Sequence, residues 1–277
     1  MVADGTKSQD PSEAWRALLE QPGHYEHQCA SVADLRRIRK LGLAWRRVLQ
    51  HVQLPPGARV FELGCGGGKH LAALGLRGYR VHGVDVSPEV VARARDYLGA
   101  VAGFAGIDAT VEVANFLEYD VLSSASSFDM CFHAGVVEHF LDPAQRALIW
   151  QKMHGMLRPG GWVVSLVPNG KHIVRQRLRD HGLMGYHVPE IDYGCELHSR
   201  ELVAAGFEQV VCLPHNYLAF LPAHPSRLLS GPLARPLFYA ANAALPWIPV
   251  SPLWKERYAS TLIAIGRRPG SSGERKL

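Results

Sequence analysis

A glycine-rich segment that follows a short apolar run constrains the fold of this chain most. Residues 60–68 read Val-Phe-Glu-Leu-Gly-Cys-Gly-Gly-Gly, and a helical pattern comes directly after them. Glycine adopts positive φ angles and lets a ligand approach the backbone closely. The carboxylate of Glu62 precedes the first glycine, and a carboxylate repels phosphate. The segment therefore predicts a strand, a ligand-binding turn and a helix, with a ligand that is not held through phosphate.

Strand and helix patterns alternate along most of the chain. Apolar stretches predict seven strands, at residues 59–63, 79–84, 110–114, 128–133, 162–167, 207–213 and 260–266. Helical patterns lie between most of them. One helix is predicted from Glu89 to about Leu98, with Ser87 as its N-cap and Pro88 in the first helical position. This alternation is typical of an α/β domain with a mainly parallel, buried sheet, whose ligands bind at the carboxyl ends of the strands.

A second acidic residue stands at the end of the second predicted strand. Asp85 follows Gly68 by 17 residues. An acid in this place can accept two hydrogen bonds from ribose hydroxyls. It could instead cap the helix that begins at Pro88, but its combination with Glu62 and the glycines favours ligand binding.

These motifs resemble those of the class I S-adenosylmethionine-dependent methyltransferases. In that family the first strand ends in E/D-x-G-x-G-x-G, which Glu62, Gly64, Gly66 and Gly68 match. Residues 135–140, Gly-Val-Val-Glu-His-Phe, match the segment after the family's fourth strand, and residues 157–161, Leu-Arg-Pro-Gly-Gly, match a turn before the fifth. The resemblance covers about residues 57–212 and 258–267. It implies an α/β, Rossmann-like, doubly wound and mainly parallel seven-stranded sheet.

The same resemblance implies S-adenosylmethionine as the cofactor. It places the ribose on Asp85 and the adenine beside Asn115 and Phe116. Further predicted cofactor contacts are Tyr25 from an N-terminal lid, Glu62, Gly64, Cys65, Gly66, Val86 and His133. The rival interpretation is a dinucleotide-dependent dehydrogenase, which would set a pyrophosphate beside Glu62 and leave residues 135–139 without a role. S-adenosylmethionine has no phosphate and carries a sulfonium cation, which agrees with the acids.

Candidate catalytic residues follow the fourth and fifth predicted strands. Methyl transfer is an SN2 displacement that alignment can drive, and a base is needed only when the acceptor must lose a proton. His139 is the first candidate base, with Glu138 beside it, although both could instead orient the following helix. Tyr186 and His187 lie in a polar and aromatic stretch and are candidate acceptor contacts. No compact metal-ligand spacing occurs there, so no metal is expected.

Two stretches interrupt the alternation. The predicted organisation is a tail and helical lid at 1–56, a cofactor-binding domain at 57–267 and a basic tail at 268–277. Insertions at 170–197 and 214–254 are interpreted as a cap over the acceptor, or else as surface excursions without a role. Residues 236–254 carry no charge, but their four prolines disfavour a membrane-spanning helix.

The distribution of charge and the cysteine content limit which partners and which cellular compartment the sequence predicts. The net charge of +5 is concentrated in residues 171–180 and 267–277, without a long basic stripe interleaved with aromatic residues, so no nucleic-acid partner is expected. The five cysteines form no CxxC pair and the N-terminus has no apolar core of a signal peptide, which favours a reduced, cytoplasmic location.

The expected function is S-adenosylmethionine-dependent methyl transfer to a small hydrophobic or aromatic acceptor, by a monomer or homodimer. One alternative is a lipid-like, isoprenoid or quinone acceptor, with residues 214–254 resting on a membrane; membrane contact is the less favoured interpretation. Another alternative is an enzyme that binds S-adenosylmethionine but eliminates or cyclises it instead of transferring its methyl group.

Overall fold

A seven-stranded sheet forms the centre of the fold. The computed structural model describes residues 15, 27–40, 43–121, 125–181, 188–217 and 234–270. The strands are β1 (Arg59–Leu63), β2 (Arg80–Asp85), β3 (Ala109–Val113), β4 (Phe128–Ala134), β5 (Leu157–Pro168), β6 (Glu208–Tyr217) and β7 (Ala259–Arg267). Their order across the sheet is β3-β2-β1-β4-β5-β7-β6. Strand β7 is antiparallel to both of its neighbours, and the other pairs are parallel. The predicted fold class is confirmed.

Helices cover both faces of the sheet. They are α1 (Val32–Lys40), α2 (Leu43–His51), α3 (Lys69–Gly75), α4 (Pro88–Ala105), α5 (Pro143–Met156), α6 (Ile173–Asp180), α7 (Cys195–Ala204), α8 (Ala234–Ala244) and α9 (Pro252–Tyr258). On one face, α1 to α4 bury residues such as Trp45 and Leu71 against Phe132 and Ile263 of the sheet. On the other face, α5 and α7 pack on alternate residues of the same strands. Two cores result because successive side chains of a strand point to opposite faces.

Two predicted boundaries differ from the structure. The helix expected to end near Leu98 continues to Ala105, because Val101 is buried and the left-handed Gly106 caps the helix only there. The expected turn at 157–161 is the first part of β5, where the pairing with β4 shifts register. Gly160 has a φ of 78° and its amide donates to the carbonyl of Arg268, so this glycine serves a strand irregularity.

The two insertions contain helices in the parts that the structure describes. Residues 173–180 form α6, and β6 continues to Tyr217, into the stretch predicted as an insertion. Helix α8 contacts β6, and α9 contacts β6 and β7. Across the described ranges, no helix has the length and apolar character that crossing a membrane requires. Whether the insertions form a cap stays a prediction.

The structure contains a disulfide that the cysteine spacing did not predict. Cys195 begins α7 and Cys212 lies on β6, and their sulfur atoms are bonded with the Cα atoms 5.5 Å apart. Helix α7 packs on the strand that follows it, which brings together two residues that are 17 positions apart. The remaining cysteines, Cys29, Cys65 and Cys131, are buried thiols. A wholly reduced set of cysteines is therefore the wrong expectation for this pair.

Candidate active site

A cavity of about 270 Å³ opens where β1, β2 and β4 end. Its wall includes the glycine segment, the residues after β2 and β3, and the turn after β4. The predicted site residues that line it are Glu62, Gly64, Cys65, Gly66, Asp85, Val86, Asn115, Phe116 and His139. Because parallel strands end at one edge of the sheet, residues that are up to 77 positions apart meet there.

The glycine turn takes a shape that other residues would not adopt easily. Gly64, Gly66 and Gly68 have φ angles of 64°, 50° and 78°. A Cβ atom on Gly64 would lie 2.5 Å from Cγ2 of Val136, which belongs to the turn after β4. The absence of a side chain at Gly64 therefore lets the two turns meet and close one end of the cavity.

Two carboxylates stand at this edge in different environments. The side chain of Glu62 is buried, and its Oε2 has no hydrogen-bond partner among the described residues. Burial raises the pKa of Glu62 well above its usual value, and the nearby Asp85 raises it further. Asp85 accepts hydrogen bonds from the amides of Gly66 and Ser87 at 3.0 and 3.1 Å. Burial also raises the pKa of Asp85, although these hydrogen bonds act in the opposite direction.

The orphaned oxygen of Glu62 is evidence for a ligand. A buried polar atom without a partner costs free energy, and native structures contain few of them. An ammonium group or a hydroxyl in the cavity would give Glu62 its missing donor. The carboxyl groups of the cavity are hydrogen-bond acceptors, and they thus fit a ligand that combines an amine, hydroxyls and a cation.

Asn115 and Phe116 follow β3 and form the next part of the wall. The side-chain oxygen of Asn115 accepts from the amide of Leu117 at 3.1 Å, so the amide nitrogen is the group that can face a ligand. Phe116 is buried and lies among the aromatic rings of Phe61 and Tyr119. A flat apolar ring would find both a hydrogen-bonding partner and an apolar surface here.

His139 lies in a short 3-10 turn, Val137–His139, after the carboxyl end of β4, and lines the cavity. Its Nδ1 is 2.9 Å from the carbonyl oxygen of Pro189, which can only accept, so Nδ1 carries the proton. Burial lowers the pKa of His139 below its usual value. The ring is therefore neutral near pH 7, with Nε2 as a proton acceptor. Its edge also contacts the ring of Trp15, at a centroid distance of 4.9 Å.

Two predicted residues do not line the cavity. His133 points to the opposite face of β4, where its Nε2 is 2.7 Å from Oγ of Ser165 and its ring lies beside Trp150. Strand alternation turns the side chain of His133 away from this cavity, so the geometry does not support the predicted cofactor contact. Glu138 is buried behind the turn, where neither carboxyl oxygen has a hydrogen-bond partner among the described residues, although its Oε1 lies 3.9 Å from Nε2 of His139. Burial raises the pKa of Glu138 to about 8.

Three further predicted residues, Tyr25, Tyr186 and His187, lie outside the described residues. The cavity also contains residues that the sequence analysis did not single out, namely Trp15, His27, Lys69 and His70. His70 accepts a hydrogen bond from the indole of Trp45 at 3.0 Å, and burial lowers the pKa of His70 to about 4. The position of His70, two residues after Gly68, was the available signal. The contact of Trp45 depends on the packing of α2 and had no local signal.

The sheet order, the glycine turn and the acid that ends β2 give this chain a class I S-adenosylmethionine-dependent methyltransferase fold, with a methyltransferase domain at residues 60–161 whose site fits S-adenosylmethionine as the cofactor. Within the described part of the chain, no group of three or more His, Cys, Asp or Glu side chains lies together as a metal site requires.

The comparisons with known proteins agree with this class. Residues 60–161 match the family described as "Methyltransferase domain". The chain is 33% identical over 130 residues to a tRNA U34 carboxymethyltransferase of Cellvibrio japonicus (strain Ueda107), covering 46% of this chain and 38% of that protein. It is 30% identical over 167 residues to a ubiquinone biosynthesis O-methyltransferase of Paracidovorax citrulli (strain AAC00-1), covering 58% and 63%. The chain thus spans less than two thirds of the length of these relatives.

Solved structures share the fold. A SAM dependent methyltransferase from Archaeoglobus fulgidus superposes with a TM-score of 0.55 at 19% identity, covering 83% of this chain and 94% of that one. Phosphoethanolamine N-methyltransferase 2 of Haemonchus contortus, in complex with S-adenosyl-L-methionine, gives a TM-score of 0.53 at 16% identity, covering 81% and 52%. At these identities the likeness concerns the fold alone.

Proposed function

We propose that the protein transfers the methyl group of S-adenosylmethionine to a small hydrophobic or aromatic acceptor that loses a proton. The observation that carries this proposal is that three groups line the same cavity. They are the carboxyl group of Glu62, whose Oε2 has no hydrogen-bond partner among the described residues, the acid Asp85 at the end of β2, and the neutral imidazole of His139. When bound, the cofactor supplies an electrophilic methyl group on a sulfonium.

Residues at the strand ends bind the cofactor in this proposal. Asp85 accepts hydrogen bonds from the ribose hydroxyls, while Glu62 accepts from the amine of the methionine portion. Asn115 and Phe116 hold the adenine by a hydrogen bond and by ring contact. Cys65 and Gly66 line the same wall, with Gly64 and Val86 beside them. Tyr25 stays a proposed lid residue.

His139 is proposed to act as the base. The hydrogen bond to Pro189 holds the ring in one tautomer and leaves Nε2 available to a hydroxyl or amine of the acceptor. Pro189 belongs to the segment after α6, and the amide of the nearby Ile191 donates to the carbonyl of Glu138 at 2.8 Å. These contacts support a cap role for insertion 170–197, in which Tyr186 and His187 remain proposed acceptor contacts.

A lipid-like acceptor is the second candidate, because one specific observation favours it. Trp247 and Leu253, in the second insertion, leave 76% and 78% of their surface exposed. Together with Ile248, which is 43% exposed, they bring several exposed apolar side chains into one short segment, and contiguous apolar patches mark interaction sites. One relative is named for ubiquinone biosynthesis.

Other relatives are named tRNA U34 carboxymethyltransferase, so the expectation that this protein has no nucleic-acid partner is unsupported. The cytoplasmic location stays a prediction.

The acceptor can be tested by mass spectrometry. The purified protein is incubated with S-adenosylmethionine and with a panel of phenols, catechols and polyprenyl phenols, and S-adenosylhomocysteine is quantified. We expect S-adenosylhomocysteine only where an acceptor is present, with an acceptor mass that increases by one methylene. Formation of methylthioadenosine without any acceptor would contradict methyl transfer and favour the eliminating alternative. Flotation with quinone-containing liposomes separates the lipid-like acceptor, since failure to float contradicts it.

A further inference from the structure

A second cavity, of about 340 Å³, lies on the α2 face of the sheet and shares no wall residue with the first. Its wall is formed by α2, by the last part of β6 and by α8 with the turn that follows it. Strands β5 and β6 are both antiparallel to β7, so β6 ends at the same edge of the sheet as the strands that surround the cofactor cavity. The second cavity therefore lies at the ligand-binding edge, towards the β6 border of the sheet.

Positive charge dominates this second cavity. Arg46 and Arg47 line it from α2, together with His51, and His215 lines it from β6. The chain has no Asp or Glu between residues 35 and 61, nor between residues 209 and 255, so both segments that form the wall are free of acids. Among the described residues, no carboxylate forms an ion pair with either arginine. Two arginines in a concave site, without a counter-charge among the described residues, attract an anion.

The cavity is built by buried groups as well as by surface side chains. Arg47 is half-buried, and its guanidinium donates to the carbonyl of Pro214, which holds the side chain against β6. The side chain of His215 is only 8% exposed, and its Nδ1 has no hydrogen-bond partner among the described residues. Burial and the charge of Arg47 lower the pKa of His215 to about 4. A ligand oxygen in the cavity would supply the missing partner of His215.

Apolar surface borders the charged part. Trp247 belongs to the wall and remains exposed, and Ile248 and Leu253 are exposed close to it along the chain. An anion that occupied the cavity could therefore place an apolar or aromatic portion on the indole of Trp247. Guanidinium groups bind phosphate with paired, charge-assisted hydrogen bonds. Two arginines and two histidines also offer more hydrogen-bond donors than a ligand with one carboxylate could accept from, which favours a phosphate.

From these observations we propose that the second cavity binds a phosphate group attached to an apolar or aromatic portion, in a free organophosphate or in a phospholipid headgroup. Arg46 and Arg47 bind the phosphate oxygens, His215 donates a further hydrogen bond, and Trp247 covers the attached portion. The site is a separate ligand site and does not depend on the identity of the methyl acceptor.

Helix α2 connects this site to the cofactor cavity. Trp45 is buried on the helix and donates to His70, whose ring lines the cofactor cavity. Arg46 and Arg47, the next two residues of the same helix, line the second cavity. The two cavities are thus lined by residues that neighbouring positions of one helix hold in place.

The test uses phosphate probes with charge-matched variants. Inorganic phosphate and phenyl phosphate are titrated into the full chain, with isothermal calorimetry and tryptophan fluorescence as readouts. Vesicles of phosphatidylcholine, with or without phosphatidylglycerol, form the second arm. We expect saturable binding in one arm. Arg47→Gln should weaken this binding by about tenfold, and Arg46→Gln should weaken it by a smaller factor. Arg36→Gln, an exposed arginine of α1 outside both cavities, should leave it unchanged.

Each outcome decides the proposal. Binding of phenyl phosphate in solution supports the site and assigns a free organophosphate. Binding only to anionic vesicles, lost in the two cavity variants and kept in Arg36→Gln, supports the site and assigns a headgroup. Arg46 is exposed and has no hydrogen bond to a described residue, so its variant remains informative if Arg47→Gln fails to fold. An absence of saturable binding in both arms, or equal losses in Arg46→Gln and Arg36→Gln, overturns the proposal.

Discussion

The carboxylate of Asp85 accepts a hydrogen bond of 3.0 Å from the backbone amide of Gly66. The acid that ends β2 is thereby joined to the glycine turn that follows β1, and the two strand ends form one surface. A substitution at Asp85 is consequently expected to alter both a ligand contact and the position of the turn.

Asp85→Asn should weaken the binding of S-adenosylmethionine by about 10- to 100-fold, because charge-assisted hydrogen bonds to the ribose are lost. Isothermal calorimetry with the cofactor measures this change. Asp108→Asn is the matched control, since Asp108 is an exposed acid that precedes β3 at the opposite edge of the sheet, with its carboxylate 3.8 Å from Arg80. An affinity in Asp85→Asn equal to that of the control would show that Asp85 does not contact the cofactor.

Gly64→Ala should destabilise the fold more than Gly57→Ala does. Both glycines have positive φ angles, of 64° and 70°, but only Gly64 has a neighbour, Val136, where a Cβ would be placed. Backbone strain is expected to cost about 1–2 kcal/mol at Gly57, and strain with overpacking about 2–4 kcal/mol at Gly64. Urea unfolding measures both values. Equal losses at the two positions would mean that Val136 moves aside without cost.

His139→Gln should lower kcat with a hydroxyl acceptor by about 10²- to 10⁴-fold, as expected for removal of a general base. The cofactor affinity, measured separately, should change much less. Because burial lowers the pKa of His139, the wild-type rate should be constant near pH 7 and should fall only below the usual range of histidine titration, as Nε2 becomes protonated. A variant that keeps its rate and this pH profile would assign His139 a structural role.

Glu138→Gln should change how stability depends on pH. The pKa of Glu138 is raised to about 8 in the folded state, against an ordinary value of 4.5. The folded state therefore holds a proton that the unfolded state releases between these values, and stability contributed by the neutral acid is lost as pH rises from 4.5 to about 8.

Urea unfolding at pH 5, 7 and 8.5 tests this prediction. The difference in unfolding free energy between Glu138→Gln and the wild type should grow in favour of the variant as the pH rises. Glu208→Gln, at an exposed position on β6, is the control and should follow the wild type. A difference that stays constant across these pH values would mean that Glu138 is ionised in the folded protein at pH 5.

Reduction of the disulfide between Cys195 and Cys212 should destabilise the protein. Closing a loop of this length, 17 residues, contributes about 3 kcal/mol in the chain-entropy treatment. Thermal unfolding with and without a reductant measures the effect, and mass spectrometry of the alkylated protein counts the free thiols. Cys212→Ser should unfold at the temperature of the reduced wild type and should not respond to reductant. Five alkylated cysteines in the untreated protein would contradict the pairing.

Features that are local in the chain were predictable. The motif around Glu62 and Gly64 and the acid Asp85 each lie where a strand ends, and a parallel sheet necessarily brings such ends to one edge. The cap of α4 by Ser87, whose hydroxyl accepts from the amide of Val90, was equally readable because a cap depends on neighbours within one turn.

Features that depend on packing between distant segments were not predictable. The direction of His133 follows from its face on β4, and the contact between Trp45 and His70 follows from the way α2 lies on the sheet. The second cavity needs α2, β6 and α8 together, and no short segment contains its pattern of charge.

The amino-acid sequence by itself determined the class of this protein and the residues of its glycine turn, because backbone conformation, strand ends and capping are set by residues close in the chain. Only the tertiary structure decided that His139 and not His133 faces the cofactor cavity, that Cys195 bonds to Cys212, and that two arginines of α2 meet His215. These relations arise from burial and from the packing of helices on the sheet, which no local pattern records.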